Sequence, residues 1–300
     1  MGDLIVIAGP TASGKTSLSL SLAEAIDAEI ISGDARQFYR RMDIGTAKPT
    51  SEELARVPHH FIDILDPQED YTAGIFEQEV LTFLQTYFER KQIAILVGGS
   101  GLYIKAVMEG FDQVPPTPPA IREHFQKILD LQGIEALQRL LKEKDPTYFE
   151  EVDKDNPQRV MRALEAIEVA GKAFSELRKQ AQQERPFRIH PILLQPDRAA
   201  LYERINTRVD EMVHLGLEEE ASSLYPLKHH NALQTVGYQE WFDHFDGVLS
   251  RDEAILKIKQ LTRNYAKRQF TWFRKQDDFH SFTTWNEDDV LRHLHKRLNV

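Results

Sequence analysis

The sequence predicts an α/β fold in which a parallel sheet is flanked by helices and interrupted by an all-helical insertion. Three observations carry this. Short apolar runs at 4–8 and 93–97 have the character of parallel strands buried on both faces. Each run passes directly into a glycine-containing turn, and the first turn leads into apolar residues at helical spacing. Four prolines within residues 115–119 then break the pattern, and no convincing strand follows until residue 189.

The elements read in order as follows. After the strand at 4–8, Leu18, Leu22 and Ile26 repeat at helical spacing. A second strand at 29–32 ends at Gly33-Asp34, and turn-rich sequence runs to about Ala73. Phe76, Val80, Phe83, Leu84 and Tyr87 mark an amphipathic helix leading into the strand at 93–97, which ends in Gly98-Gly99-Ser100-Gly101. The loops 9–16, 33–37 and 98–101 thus all follow strands, where open α/β sheets bind ligands. The helical stretch reaches about Gln183. Within it, Asn156 as N-cap, Pro157 at the first turn and Gly171 as terminator bound one helix, with Val160, Leu164 and Ile167 as its apolar stripe. A strand at 189–194 is followed by helices at about 198–214 and 252–272. The expected organisation is a discontinuous catalytic core, 1–113 and 186–300, around a helical insertion at 114–185.

Composition narrows the class. The chain has 300 residues, 41% of them hydrophobic and 28% charged, which is ordinary for a globular protein with one core and an insertion. The absence of cysteine excludes disulfides and thiolate metal sites. No apolar run approaches the roughly 18 residues of a membrane span, and the N-terminus lacks a signal-peptide pattern. The expectation is a cytoplasmic protein with no membrane partner. A net charge of −10 offers no global hint of a nucleic-acid partner, so any such surface must be local.

Five motifs carry chemistry. Gly9-Pro10-Thr11-Ala12-Ser13-Gly14-Lys15-Thr16 is a G-x-x-x-x-G-K-T loop between strand and helix. Its backbone N–H groups and the helix dipole suit a phosphate, Lys15 adds a point charge, and the Thr16 hydroxyl suits Mg²⁺. This makes the core P-loop NTPase-like. Asp34, in the loop after the second strand, can take a proton, hold a metal or cap its own turn. Val97 is followed by Gly98-Gly99-Ser100 rather than by the Asp that ATPases often place there, which argues against ATP hydrolysis. Between Lys257 and Gln276 lie Lys257, Lys259, Arg263, Lys267, Arg268, Arg274 and Lys275 with no Asp or Glu, interleaved with Phe270, Trp272 and Phe273. That stretch is either a polyanion-binding surface or a solvated helix face, its aromatics either stacking bases or packing the core. Arg159 and Arg162 share one helix face, open either to phosphate or to neighbouring carboxylates such as Glu165.

Together these segments resemble the tRNA dimethylallyltransferase family. The resemblance rests on the P-loop wording and on Met42-Asp43-Ile44-Gly45-Thr46-Ala47-Lys48-Pro49. Further matches are Pro58-His59-His60 with Asp63 and Asp66-Pro67, Gly98 to Tyr103, Asn156 to Arg159 with Arg162 to Glu165, and Lys267-Arg268-Gln269 with Thr271-Trp272. It covers nearly the whole chain. Family members transfer a dimethylallyl group from dimethylallyl diphosphate to N6 of the adenosine 3′ of the anticodon. The resemblance therefore implies that residues 9–16 cradle the donor's diphosphate, with Lys15 and Arg208 neutralising it and Thr16 placing Mg²⁺. Asp34 would be the general base. Ser100 would contact the bridging oxygen or the target adenosine. The anticodon stem-loop would meet Asp34, Ala35, Arg36, Gln37, Ser100, Arg122, Gln158, Arg159, Val160, Met161, Arg162, Lys267 and Arg268, with the enzyme acting as a monomer. Two positions depart from the family's common wording: Ala35 stands where Ser is usual, and Ser100 where Thr is usual.

The chemistry agrees with this reading. The exocyclic amine of adenine is a poor nucleophile, so transfer needs a stabilised leaving group, a nearby carboxylate and alignment. Two other activities fit parts of the pattern. A transferase acting on free adenine nucleotides would need neither the basic stretch nor the insertion, and a P-loop kinase would be expected to carry the missing acidic residue.

Overall fold

The computed structural model describes residues 1–110, 117–178, 183–276 and 278–298. It divides into two compact units, Met1–Met108 with Arg185–Val300, and Glu109–Glu184. The chain enters the first unit through β1 (Asp3–Ala8), α1 (Lys15–Ala25), β2 (Glu29–Ser32), α2 (Ser51–Arg56), β3 (His59–His60), α3 (Ala73–Tyr87), β4 (Ile93–Gly98) and α4 (Gly101–Glu109). The second unit holds α5 (Pro119–Gln132), α6 (Ile134–Lys144), α7 (Pro146–Glu151), α8 (Pro157–Ala170) and α9 (Phe174–Leu177). The first unit resumes with β5 (Arg188–Leu194), α10 (Arg198–His214), α11 (Leu217–Leu224), α12 (Gln239–Phe245), α13 (Arg251–Phe273), β6 (His280–Phe282) and α14 (Glu287–Leu298). The α/β class with a parallel sheet flanked by helices is as the sequence predicts. Of the proline-rich run, Pro115 and Pro116 lie outside the described residues.

The sheet has the order β3-β2-β4-β1-β5-β6, with every pairing parallel. β1 lies at its centre, and every one of its residues is buried. Alternate residues serve opposite layers, as a strand's period of two requires. Leu4, Val6 and Leu96 join the core beneath α3 and α4, while Ile5, Ile7 and Ile95 pack with α1 and α14. The chain runs from β1 out to β2 and β3, then returns through β4 before continuing to β5 on the other side. That reversal is a topological switch point, where ligands of open α/β sheets bind at the carboxyl ends of the strands. The loops after β1, β2 and β4 all lie at this edge.

The helical unit has its own core of Phe125, Leu137, Leu141, Tyr148, Val160 and Leu164, with neighbours from each of its first four helices. α8 begins and ends as its sequence dictates. Asn156 accepts from the Arg159 N–H at 3.2 Å, Pro157 occupies the first turn, and Gly171 closes the helix with φ 64°. No described helix is long and apolar enough to cross a membrane.

Candidate active site

A cavity of about 790 Å³ opens at the carboxyl edge of the sheet, a volume suited to a small-molecule substrate. Thr11 to Thr16, Asp34 to Gln37, Ser100, Arg208 and Arg268 all line it. Most residues singled out in the core are therefore brought together. Gly9 and Pro10 are buried and do not line the cavity, and Lys267 stands exposed on α13 outside the lining.

The P-loop curls because Gly14, the N-cap of α1, takes φ 91°, a backbone region that side chains disfavour. The turn directs the start of α1 into the cavity. Lys15 Nζ donates to Pro10 O at 2.7 Å, which folds the side chain back over the loop. Desolvation pushes the Lys15 ammonium down to about 7, against the pull of the Asp34 carboxylate, and Arg208 lowers it further. The Ser13 hydroxyl is fully buried and has no hydrogen-bond partner among the described residues. Buried polar atoms are rarely left so, and here the orphan sits inside an anion-binding loop.

Asp34 follows β2. Its Oδ1 accepts from the Arg36 N–H at 3.0 Å, so the turn-capping role open in the sequence is real. The cap uses one carboxylate oxygen and does not exclude a chemical role for the other. Burial raises the Asp34 carboxyl above its ordinary range, opposed by the Arg36 N–H and by the charges of Lys15 and Arg36. Ser100, at the start of α4, accepts from the Ala35 N–H at 3.0 Å and hydrogen-bonds Tyr265. The two departures from the family wording thus touch each other: the Ser100 side chain holds the Ala35 backbone. The Tyr265 hydroxyl is pushed up to about 12, by burial first and by the Asp34 charge second.

The wall at 43–47 is fixed from α11. Glu220 accepts from the N–H groups of Asp43, Ile44 and Gly45 at 3.0, 2.8 and 2.9 Å, and from the Tyr238 hydroxyl at 2.6 Å. Gln37 ties the same loop to β2. Its Nε2 donates to Thr46 O and Ala47 O, and its Oε1 accepts from Ser32 Oγ. Gln37 therefore braces this wall with both polar atoms of its side chain.

The basic stretch is reduced by folding. Lys257 pairs with Asp243 at 3.2 Å, Lys259 with Asp210 at 2.6 Å, and Arg263 donates to Asn206 at 2.6 Å. Phe273 is buried in the core, Trp272 packs against it, and both reach the cavity wall. In the helical unit, Gln158 and Arg159 are exposed. Val160 is fully buried in the unit's core, which corrects its assignment as a tRNA contact, because its side chain is occupied by packing. Met161 packs partly against the same core. Arg162 donates to Thr117 Oγ1 at 2.7 Å and lies 3.7 Å from Glu165, and Arg122 lies 3.9 Å from the same carboxylate. The carboxylate reading holds for Arg162 and not for Arg159: buried Glu165 faces Arg162 and Arg122, whose side chains remain substantially exposed.

Gln269, Tyr265, Glu220 and Tyr238 were not identified as site residues from the sequence. Each acts through a partner remote in the chain, so no local pattern announces it.

A family model described as IPP transferase matches residues 37–276. The tRNA dimethylallyltransferase of Christiangramia forsetii is 46% identical over 99% of this chain and 99% of its own length. The tRNA dimethylallyltransferase 1 of Bacteroides fragilis is 44% identical over 97% of each. The crystal structure of the tRNA isopentenylpyrophosphate transferase of Bacillus halodurans superposes with a TM-score of 0.73 at 38% identity, covering 100% of this chain and 96% of that one. A eukaryotic dimethylallyltransferase acting on tRNA gives a TM-score of 0.83 at 25% identity, over 99% and 78%.

Proposed function

The chain belongs to the IPP transferase family of tRNA dimethylallyltransferases, and we propose that its cavity moves a dimethylallyl group from dimethylallyl diphosphate to N6 of the adenosine 3′ of the tRNA anticodon. The observation that carries this is the meeting of the Lys15 cradle, the Asp34 carboxylate and Ser100 around one cavity. Gly98 and Gly99 at the end of β4, where an ATPase would offer an acidic residue, support prenyl transfer over nucleotide hydrolysis.

In the reaction, N6 attacks C1 of the prenyl group, the C1–O bond breaks, and diphosphate leaves. Asp34 takes the N6 proton. A raised carboxyl suits this task, because a base with a higher pKa accepts the proton more readily. Lys15, Arg208 and the N-terminus of α1 receive the charge of the leaving diphosphate. Ser100 holds the Ala35 backbone while its hydroxyl faces the reacting groups. Thr16 lines the cavity and offers a hydroxyl, and Mg²⁺ characteristically takes one or two protein oxygens with phosphates and water completing the shell. When bound, Mg²⁺ would neutralise phosphate charge.

The target adenine must leave its stack to enter the cavity. Arg122, Arg159 and Arg162 in the helical unit, with Lys267 and Arg268 on α13, supply positive charge for the anticodon stem-loop. The enzyme works as a cytoplasmic monomer. Incubation with labelled dimethylallyl diphosphate and either undermodified tRNA or AMP tests the assignment. Label enters tRNA and not AMP; the reverse outcome refutes the tRNA reading, and ATP hydrolysis with no transfer refutes the prenyltransferase reading.

A further inference from the structure

Gln269 lies on α13 beside Lys267 and Arg268, and its side chain is buried. Both of its polar atoms are engaged, each by a different loop of the site. Its Oε1 accepts from the Thr11 N–H of the P-loop at 2.9 Å. Its Nε2 donates to Gly99 O, in the loop that carries Ser100, at 2.9 Å. These partners lie 258 and 170 positions away in the chain. A methyl on Gly99 would fall 2.3 Å from Gln269 Nε2, so the amide would have to move off Gly99 O.

We propose that Gln269 is a positioning residue that holds the diphosphate cradle and the Ser100 loop in register. The proposal rests on the reaction assigned above and adds a residue of the cavity wall that acts through the two loops it joins. β1 and β4 are hydrogen-bonded neighbours up to Ala8 and Gly98, but that ladder ends where the two loops begin. Beyond it, Gln269 spans the loops directly. In the displacement, one loop holds the leaving diphosphate and the other carries Ser100 toward the reacting groups. A misplacement of about 1 Å between reacting groups can cost roughly 100-fold in rate. The Gln269 bridge therefore acts on alignment and leaves each substrate's own contacts in place.

The test is a steady-state comparison of wild type, Gln269→Ala, Gly99→Ala and the double variant, using dimethylallyl diphosphate and an undermodified tRNA anticodon stem-loop. Gln269→Ala lowers kcat by about 10- to 100-fold, with KM for either substrate changed by no more than about threefold. Gly99→Ala displaces the same side chain from the other end and gives a similar loss. The double variant is no slower than Gln269→Ala, because the two changes remove one interaction. Thermal melting of all four proteins is measured alongside. The proposal fails if Gln269→Ala keeps kcat within twofold, if both KM values rise with a fall in melting temperature, or if the two losses multiply. A wild-type protein without transfer activity refutes the reaction itself, whatever the variants do.

Discussion

Lys15 carries a proton-linked binding prediction that follows from its surroundings. Desolvation holds the ammonium at about 7, far below its ordinary value of 10.5. A diphosphate beside it restores the charged form, so donor binding takes up a proton wherever Lys15 is neutral in the free enzyme. If only the charged form binds, the apparent Kd scales as one plus ten raised to the power pH minus 7. Between pH 7 and pH 9 this weakens binding by about 50-fold, and below pH 6 the dependence disappears. The assay is calorimetric titration of dimethylallyl diphosphate in buffers of differing ionisation enthalpy, which reads the Kd and the protons taken up together. Lys15→Arg keeps its charge across this range and flattens the profile, even where it binds less tightly. A Kd unchanged from pH 6 to 9 refutes the reasoning. So does a slope that persists in Lys15→Arg, since it belongs to another group. The sign for stability is the reverse of that for binding. The unfolded chain binds more protons than the empty fold between pH 7 and 10.5, so the ligand-free protein gains stability from Lys15 as pH rises through that window.

Asp34→Asn lowers the transfer rate by about 10²- to 10⁴-fold while tRNA affinity in a filter-binding assay stays within about twofold. The acid limb of the wild-type pH–rate profile lies above the ordinary carboxylate range, because Asp34 must be ionised and burial raises its carboxyl. Replacing Lys267 and Arg268 together by Ala reduces the slope of log K against log salt for tRNA binding by about 1.5, if each meets one phosphate; an unchanged slope makes them a solvated face. Glu220→Ala strips the partner from three N–H groups and the Tyr238 hydroxyl. It destabilises the fold by about 2–4 kcal/mol in urea titration, short of the full sum because water reaches a partly buried side chain.

The parts of this molecule legible in its sequence are those whose cause is local. β1 and β4 announce themselves because strands buried on both faces must be apolar throughout. α8 is bounded in the sequence by Asn156, Pro157 and Gly171, since capping is decided by the residues at the ends. β3 and β6 are missed because two and three residues, His59–His60 and His280–Phe282, are too few to show a period. The P-loop, Asp34 and Ser100 are legible for the same local reason: each sits just past a recognisable strand. The braces behind them are not. Gln269 meets Thr11, and Glu220 meets Asp43, only after the sheet has brought distant segments together. The basic stretch misleads in the same way. Counted along the chain, Lys257 and Lys259 face no acid, yet Asp243 and Asp210 reach them from neighbouring helices. Val160 shows the converse error, in which membership of a motif says nothing about which face of the helix a side chain occupies.

The most direct test of the central claim is nucleoside analysis of undermodified tRNA after reaction with dimethylallyl diphosphate, with released diphosphate measured in the same tube. The account predicts N6-dimethylallyladenosine at the position 3′ of the anticodon, one diphosphate released for each, and neither with Asp34→Asn. Diphosphate released without the modified nucleoside, or modification at another position, contradicts it.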